Sequence, residues 1–298
     1  MRRWLTTLTL TGATGLLLVA CGAPGGADGD LTDDWAVPPA PTPFTPPVGA
    51  CHDQAVFDET PSVRDFAPVD CAGNHRQETV HVGNYPGDSG QAPDMVSDEG
   101  RAAYAECDAK ATEYVGAEWR TGRLWLAVAR PTREAWAGGA RWFRCDLMEV
   151  ADVGGPREPE SRSGSLKGAL ADPSPLNLGC FKSKVTAGRL DSLTPVDCTR
   201  EHDTEFAGVW QAPEMAYPAA DKDWTRFYDE CRKVVAGYVG VPADADLRYR
   251  TGVVVRPGAR TEWGYGNRGV RCYLWLSSRT LTKSLKDAGP AGLPILTK

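Results

Sequence analysis

The feature that most constrains this chain is the spacing of its cysteines. Cys21 stands apart, and the rest fall into two sets of four: Cys51, Cys71, Cys107 and Cys145, then Cys180, Cys198, Cys231 and Cys272. The first set spans 94 positions and the second 92. Even sets in an exported chain imply disulfides, and matched spacing implies an internal repeat. The neighbouring residues repeat too. Pro68-Val69-Asp70-Cys71 with His75 and Glu78 returns as Pro195-Val196-Asp197-Cys198 with His202 and Glu205. Cys107 followed by Tyr114-Val115-Gly116 returns as Cys231 followed by Tyr238-Val239-Gly240. Trp136, Arg141, Arg144 and Cys145 return as Trp263, Arg268, Arg271 and Cys272, and Ser165-Leu166-Lys167 returns as Ser284-Leu285-Lys286.

Within each copy the apolar period gives the elements. Trp224, Phe227, Tyr228, Cys231, Val234, Val235 and Tyr238 fall at three-and-four spacing, with Asp221 placed to cap the helix and Gly240 to end it. Tyr104, Cys107, Ala111 and Tyr114 repeat the pattern more weakly. Strands are expected over 79–85, 124–129 and 141–148, where Phe143, Cys145 and Leu147 share one face, as do Val270, Cys272 and Leu274 later. The fold class is therefore α+β: two tandem modules, each an antiparallel sheet with one packed helix and two disulfides. At about 110 residues each, such modules have an adequate but not generous core.

The N-terminus supplies an address. Met1-Arg2-Arg3 precedes an apolar stretch from Trp4 to Ala20 that closes Leu18-Val19-Ala20-Cys21, the pattern of a secretory signal with a lipobox. Residues 1–20 read as a lipoprotein signal peptide and Cys21 as the lipid-bearing residue. The expected location is the outer face of the cytoplasmic membrane, with attachment through lipid. Residues 21–47, rich in Gly, Pro and Asp, read as an extended tether. Loss of Arg2 and Arg3 takes the formal charge from −6 to about −8, which offers no basic field for nucleic acid. Module 1 is placed at 48–170, with linker composition over 151–165, module 2 at 177–288, and a tail at 289–298.

The motifs of both copies resemble the septum formation domain family of actinobacterial envelope proteins. They are the Gly-led opening at Cys51 and Cys180, Pro-x-x-Cys-x3-His-x2-Glu, the helix Cys before Tyr-Val-Gly, and the Trp-x4-Arg-x2-Arg-Cys close. Ala50, and the lack of Asp before Cys180, depart from the family pattern at the opening turn. The resemblance implies an envelope module with a role in septum formation and no established catalytic chemistry.

Several repeated residues have chemical capacity and also an alternative structural role. His75 with Glu78, and His202 with Glu205, could pair an imidazole with a carboxylate as a general base; the alternative is a His bonded to buried backbone near the disulfide. Trp136 with Arg141 and Arg144, and Trp263 with Arg268 and Arg271, could stack a sugar or clamp an acidic group, or could be Arg lying over Trp at a sheet edge. Cys-x3-His occurs once per module with no second close ligand pair, so no metal is expected. No Gly-x-Ser-x-Gly elbow, phosphate loop or dinucleotide fingerprint occurs, so no cofactor is expected.

Four cysteines allow three pairings. Cys51 to Cys71 reads as a hairpin with 58–62 at its tip, and Cys107 and Cys145 share the helix–strand interface. This favours Cys51 with Cys71, Cys107 with Cys145, Cys180 with Cys198 and Cys231 with Cys272. A first-to-fourth pairing would suit a sheet whose edge strands meet. Three functions follow in order. The first is a non-catalytic envelope module that engages an envelope protein or wall polymer. The second is a secreted hydrolase built on the His/Glu pairs. The third is a solute- or polymer-binding lipoprotein, set third because the spacer suggests loosely coupled beads.

Overall fold

A computed structural model describes residues 42–55, 67–87, 90–154, 158–171, 173–186 and 189–296. The expected signal peptide, Cys21, most of the expected tether and the expected hairpin tip at 58–62 lie outside the described residues.

Each copy builds the same frame. In the first, β1 (Cys51–His52), β2 (Gln77–Asn84), β3 (Leu124–Ala129) and β4 (Trp142–Glu149) form an antiparallel sheet in the order β1-β2-β4-β3. In the second, β5 (Cys180–Thr186), β6 (Arg189–Val196), β7 (Thr204–Gln211), β8 (Gly252–Pro257) and β9 (Gly269–Trp275) are ordered β6-β5-β7-β9-β8. Both sheets carry a bulge at the same place, at Val80 between Thr79 and His81, and at Ala207 between Phe206 and Gly208. A shared bulge fixes a shared register, because a one-residue slip would turn every side chain to the other face.

One long helix lies on each sheet: α1 (Asp98–Val115) and α3 (Asp221–Val239). Short helices α2 (Arg133–Ala137) and α4 (Arg260–Tyr265) precede the last strand of each module. Ser97 caps α1 by accepting from the Gly100 N–H at 3.1 Å. The cap of α3 differs from expectation: Asp221 is its first residue and Ala220 its N-cap. Alanine has no acceptor, so the Asp223 carboxylate reaches back to the N–H groups of Ala219 and Ala220, at 3.1 and 2.9 Å. Both helices end on a left-handed glycine, Gly116 and Gly240. The stripe of α3 is narrower than its sequence suggests. Phe227, Cys231, Val235 and Val239 are buried, and Tyr228 is exposed.

Four disulfides tie these elements: Cys51–Cys71, Cys107–Cys145, Cys180–Cys198 and Cys231–Cys272. The hairpin-and-helix argument gives this pairing, and no first-to-fourth bridge forms. Cys51 faces Val69 and Cys180 faces Val196, matching positions of the two copies, although the loops span 20 and 18 residues. In the chain-entropy account such loops stabilise by about 3 kcal/mol, and the helix–strand bridges by about 4 kcal/mol.

Two regions depart from their compositional reading. The stretch 151–165 runs back along module 1: Val150 bridges Pro159, and Arg162 exchanges backbone hydrogen bonds with His75. Beyond 288, α5 (Gly289–Gly292) leads into Leu293, which is fully buried in the second core, so this end is packed. The modules are also not loosely coupled beads, since 43–298 forms one compact unit. A 3-10 turn at Trp119–Thr121 carries Arg120 from module 1 into module 2. Its Nε and Nη2 donate to Asn267 Oδ1 at 3.1 and 2.8 Å. Asp108 and Glu118 pair with the same guanidinium, at 2.5 and 2.9 Å. A Cβ on Gly269 would sit 2.1 Å from Arg120 Nε, so only glycine admits this side chain. In return, Arg271 Nε and Nη2 donate to the carbonyls of Arg120 and Leu124, at 2.9 and 3.2 Å.

Candidate functional site

The repeated Glu sits on β2 in the first module and on β7 in the second, facing the helix. Glu78 accepts from the Tyr114 hydroxyl (2.5 Å), the Ser165 hydroxyl (2.5 Å) and the Leu166 N–H (2.6 Å). Glu205 repeats this with the Tyr238 and Ser284 hydroxyls, at 2.7 and 2.9 Å, and the Leu285 N–H at 3.0 Å. Each carboxylate thus ties strand, helix end and trailing segment at one point. Burial, reinforced by the bond to Glu78, pushes the Tyr114 phenol up to about 12, and the same causes raise Tyr238. Both phenols therefore remain donors at neutral pH. The sequence signal for these partners is the repeated Ser-Leu-Lys, a repeat with no function attached to it until the carboxylate is seen.

The histidines are fully buried. His75 Nδ1 donates to the Gly73 carbonyl at 3.0 Å, and His202 Nδ1 to the Arg200 carbonyl at 2.8 Å. This is the bond to backbone near the disulfide. The copies then differ. His202 Nε2 lies 3.1 Å from Glu205 Oε1, within hydrogen-bond reach, whereas His75 Nε2 has no partner among the described residues. Cys180, His202 and Glu205 place ligand atoms within 4.8 Å of one another, as do Cys51, Cys71 and Glu78. These cysteines are bridged, and a disulfide sulfur has no thiolate to give a metal.

The aromatic and arginine sets lie elsewhere. Arg141 stacks on Trp136, its carbon 4.2 Å from the ring centroid, and donates to the Trp136 carbonyl at 2.8 Å. Arg268 stacks on Trp263 at 4.7 Å and donates to the Trp263 carbonyl. Both tryptophans are buried, so these pairs pack α2 and α4 against the starts of β4 and β9, interior strands and not sheet edges. Phe143, Cys145 and Leu147 enter the core beneath α1, so by strand alternation Arg144 projects to the opposite sheet face from Glu78. His, Glu and Arg of the repeats do not converge in one cleft.

That opposite face holds a network of which only Arg144 belongs to the repeat motifs. Arg144 Nε donates to Asp146 Oδ2 at 2.7 Å, and the Thr79 hydroxyl donates to Asp146 Oδ1 at 2.8 Å. Having spent its proton, the Thr79 hydroxyl accepts from His52 Nε2 at 3.0 Å. Burial and the Arg144 charge hold His52 below its ordinary pKa. All four side chains are buried.

A family model described as Septum formation matches residues 48–272, spanning both modules. No curated protein and no solved structure matches the chain.

Proposed function

Because the chain belongs to the septum formation family, we propose that it is a non-catalytic, lipid-anchored module. On this reading it stands on the outer face of the cytoplasmic membrane and serves septum formation by engaging an envelope protein or wall polymer. One observation carries the non-catalytic part. The groups most able to do chemistry are fully buried: both glutamates are spent on internal hydrogen bonds, and both histidines give Nδ1–H to a backbone carbonyl. The address rests on the lipobox before Cys21. Among the described residues no helix is long and apolar enough to cross a membrane, and a lipid anchor needs none.

The test combines fractionation with microscopy. Cys21→Ala is expected to move the protein from the membrane fraction to soluble or unprocessed forms. Depletion is expected to delay septation and lengthen cells, with a tagged wild-type protein enriched at septa. Unchanged detergent partitioning of a correctly processed Cys21→Ala protein overturns the anchor. Uniform distribution with normal septum spacing overturns the septal role.

A further inference from the structure

The junction between the modules contains a cavity of about 260 Å3, lined by residues of both. Two of its walls are arginines that stand directly opposite each other on neighbouring strands, Arg256 on β8 and Arg271 on β9. Like charges facing each other across a strand pair are destabilising. Arginine cannot relieve this by losing its proton at neutral pH. Neither guanidinium forms an ion pair among the described residues. Arg271 spends Nε and Nη2 on the carbonyls of Arg120 and Leu124. Arg256 makes no hydrogen bond among the described residues, and its Nε is buried without a partner.

The neighbouring acids are already engaged. Glu262 accepts from the Ala259 N–H and the Asn267 amide, at 3.3 and 3.4 Å. Asp152 accepts from the Gly154 N–H at 2.7 Å. Glu262 lines the cavity with the two arginines, but neither it nor Asp152 forms an ion pair with Arg256 or Arg271, so both guanidinium groups lack a carboxylate at contact distance among the described residues. Burial, with the nearby Arg120 charge, lowers the Arg271 pKa to about 10, against the opposing pull of Glu262 and Glu118.

The other walls select the body of the ligand. Trp125 of module 1 and Trp224 of module 2 are half-buried and line the same space. Indole faces pack the C–H face of a sugar ring, and guanidinium forks match a carboxylate. The volume suits one monosaccharide and falls below that of pockets for drug-sized ligands.

We infer that the cavity between the modules binds a single carboxylated sugar unit, its carboxylate between Arg256 and Arg271 and its ring against Trp125 and Trp224. This does not rest on the septal reading, since cell imaging and sugar binding succeed or fail separately. Titration calorimetry on the full-length chain in detergent, with tryptophan fluorescence as a second readout, tests it using D-galacturonate, D-galactose and inorganic phosphate.

Galacturonate is expected to bind saturably, about tenfold or more tighter than galactose and tighter than phosphate. Arg256→Gln, on an edge strand, is expected to weaken galacturonate about tenfold, with Arg256→Lys intermediate, and to leave the unliganded protein at least as stable to heat, since it removes the facing like charge. Equal binding of galactose and galacturonate overturns the carboxylate's role. Phosphate binding as tightly as galacturonate overturns the sugar's role. No binding of any probe, or full affinity in a folded Arg256→Gln chain, overturns the site. If that variant does not fold, the three probes on the unaltered chain still decide.

Discussion

The two modules share a frame and differ on the sheet face turned away from the helix. In module 1 that face holds His52, Thr79, Asp146 and Arg144, joined by hydrogen bonds. In module 2 the matching positions are Phe181, Phe206, Tyr273 and Arg271. The three rings pack edge-on, with Tyr273 centred 5.7 Å from Phe181 and 5.4 Å from Phe206. Three polar residues have been exchanged for three aromatics, while the arginine stayed and changed its task. Without an aspartate opposite, Arg271 turns to the backbone of module 1 and becomes part of the junction. Trp142 and Gly269 differ in the same sense: the second copy gives up a large side chain and admits Arg120. A duplicated fold can thus diverge by moving one buried cation from an internal pair to an interface.

The largest test of this contrast is the ion pair. Asp146→Asn leaves the Arg144 guanidinium facing a neutral amide in a fully buried site, and removing one partner of such a pair costs about 3–5 kcal/mol. Tyr273→Phe at the matching position is expected to cost about 1 kcal/mol or less, because no hydrogen bond of that hydroxyl is found among the described residues. Urea unfolding of the two variants measures both. Equal losses would mean that the faces are energetically alike and that the exchange carries no consequence.

A smaller effect separates the histidines. His75→Ala removes one backbone hydrogen bond, worth about 1 kcal/mol net, whereas His202→Ala also removes the contact with Glu205, a second bond of about the same worth. Both are expected to lower thermal stability, His202→Ala by more. Wild-type stability in either variant, with function lost in cells, would point to a site instead of a brace.

What the sequence reveals follows from repetition. The cysteine frame, the pairing, the long helices and the strand faces were legible because each appears twice, so a coincidence in one copy is checked by the other. Ser165 and Ser284 were visible by the same rule, though their carboxylate partners needed coordinates. The junction was not legible, because Arg120, Gly269 and Arg271 act there once, and a feature used once leaves no repeat. The stretch 151–165 misled for another reason. Its Gly, Pro and charges describe a chain with little apolar surface, but Arg162 and Ser165 are held by hydrogen bonds, which composition does not count. Asp221 was likewise a reasonable cap by type, and the backbone placed Asp223 where the orphan N–H groups could be reached.

The smallest predicted effect is a difference in pH response between the modules, and it rests on His52. In the unfolded chain this imidazole titrates near its ordinary value of 6.5, while in the folded chain burial and Arg144 lower its pKa. Below 6.5 the unfolded state therefore binds more protons than the folded state, and stability falls as pH drops from 6.5 towards the lowered value. Above 6.5 both states are neutral at this residue and its contribution is fully present. Module 2 has Phe181 at the matching position, which has no such proton to bind. His52→Phe is thus expected to flatten the acid limb of stability between about pH 6.5 and 5, where ordinary carboxylates titrate little. It should also lower stability at pH 7.5, because the Thr79 hydroxyl loses its donor. Melting temperatures of the two proteins across that range measure the slope. An unchanged slope would show that His52 takes up its proton in the folded state as readily as in the unfolded one, and would remove the polar network as a source of acid sensitivity.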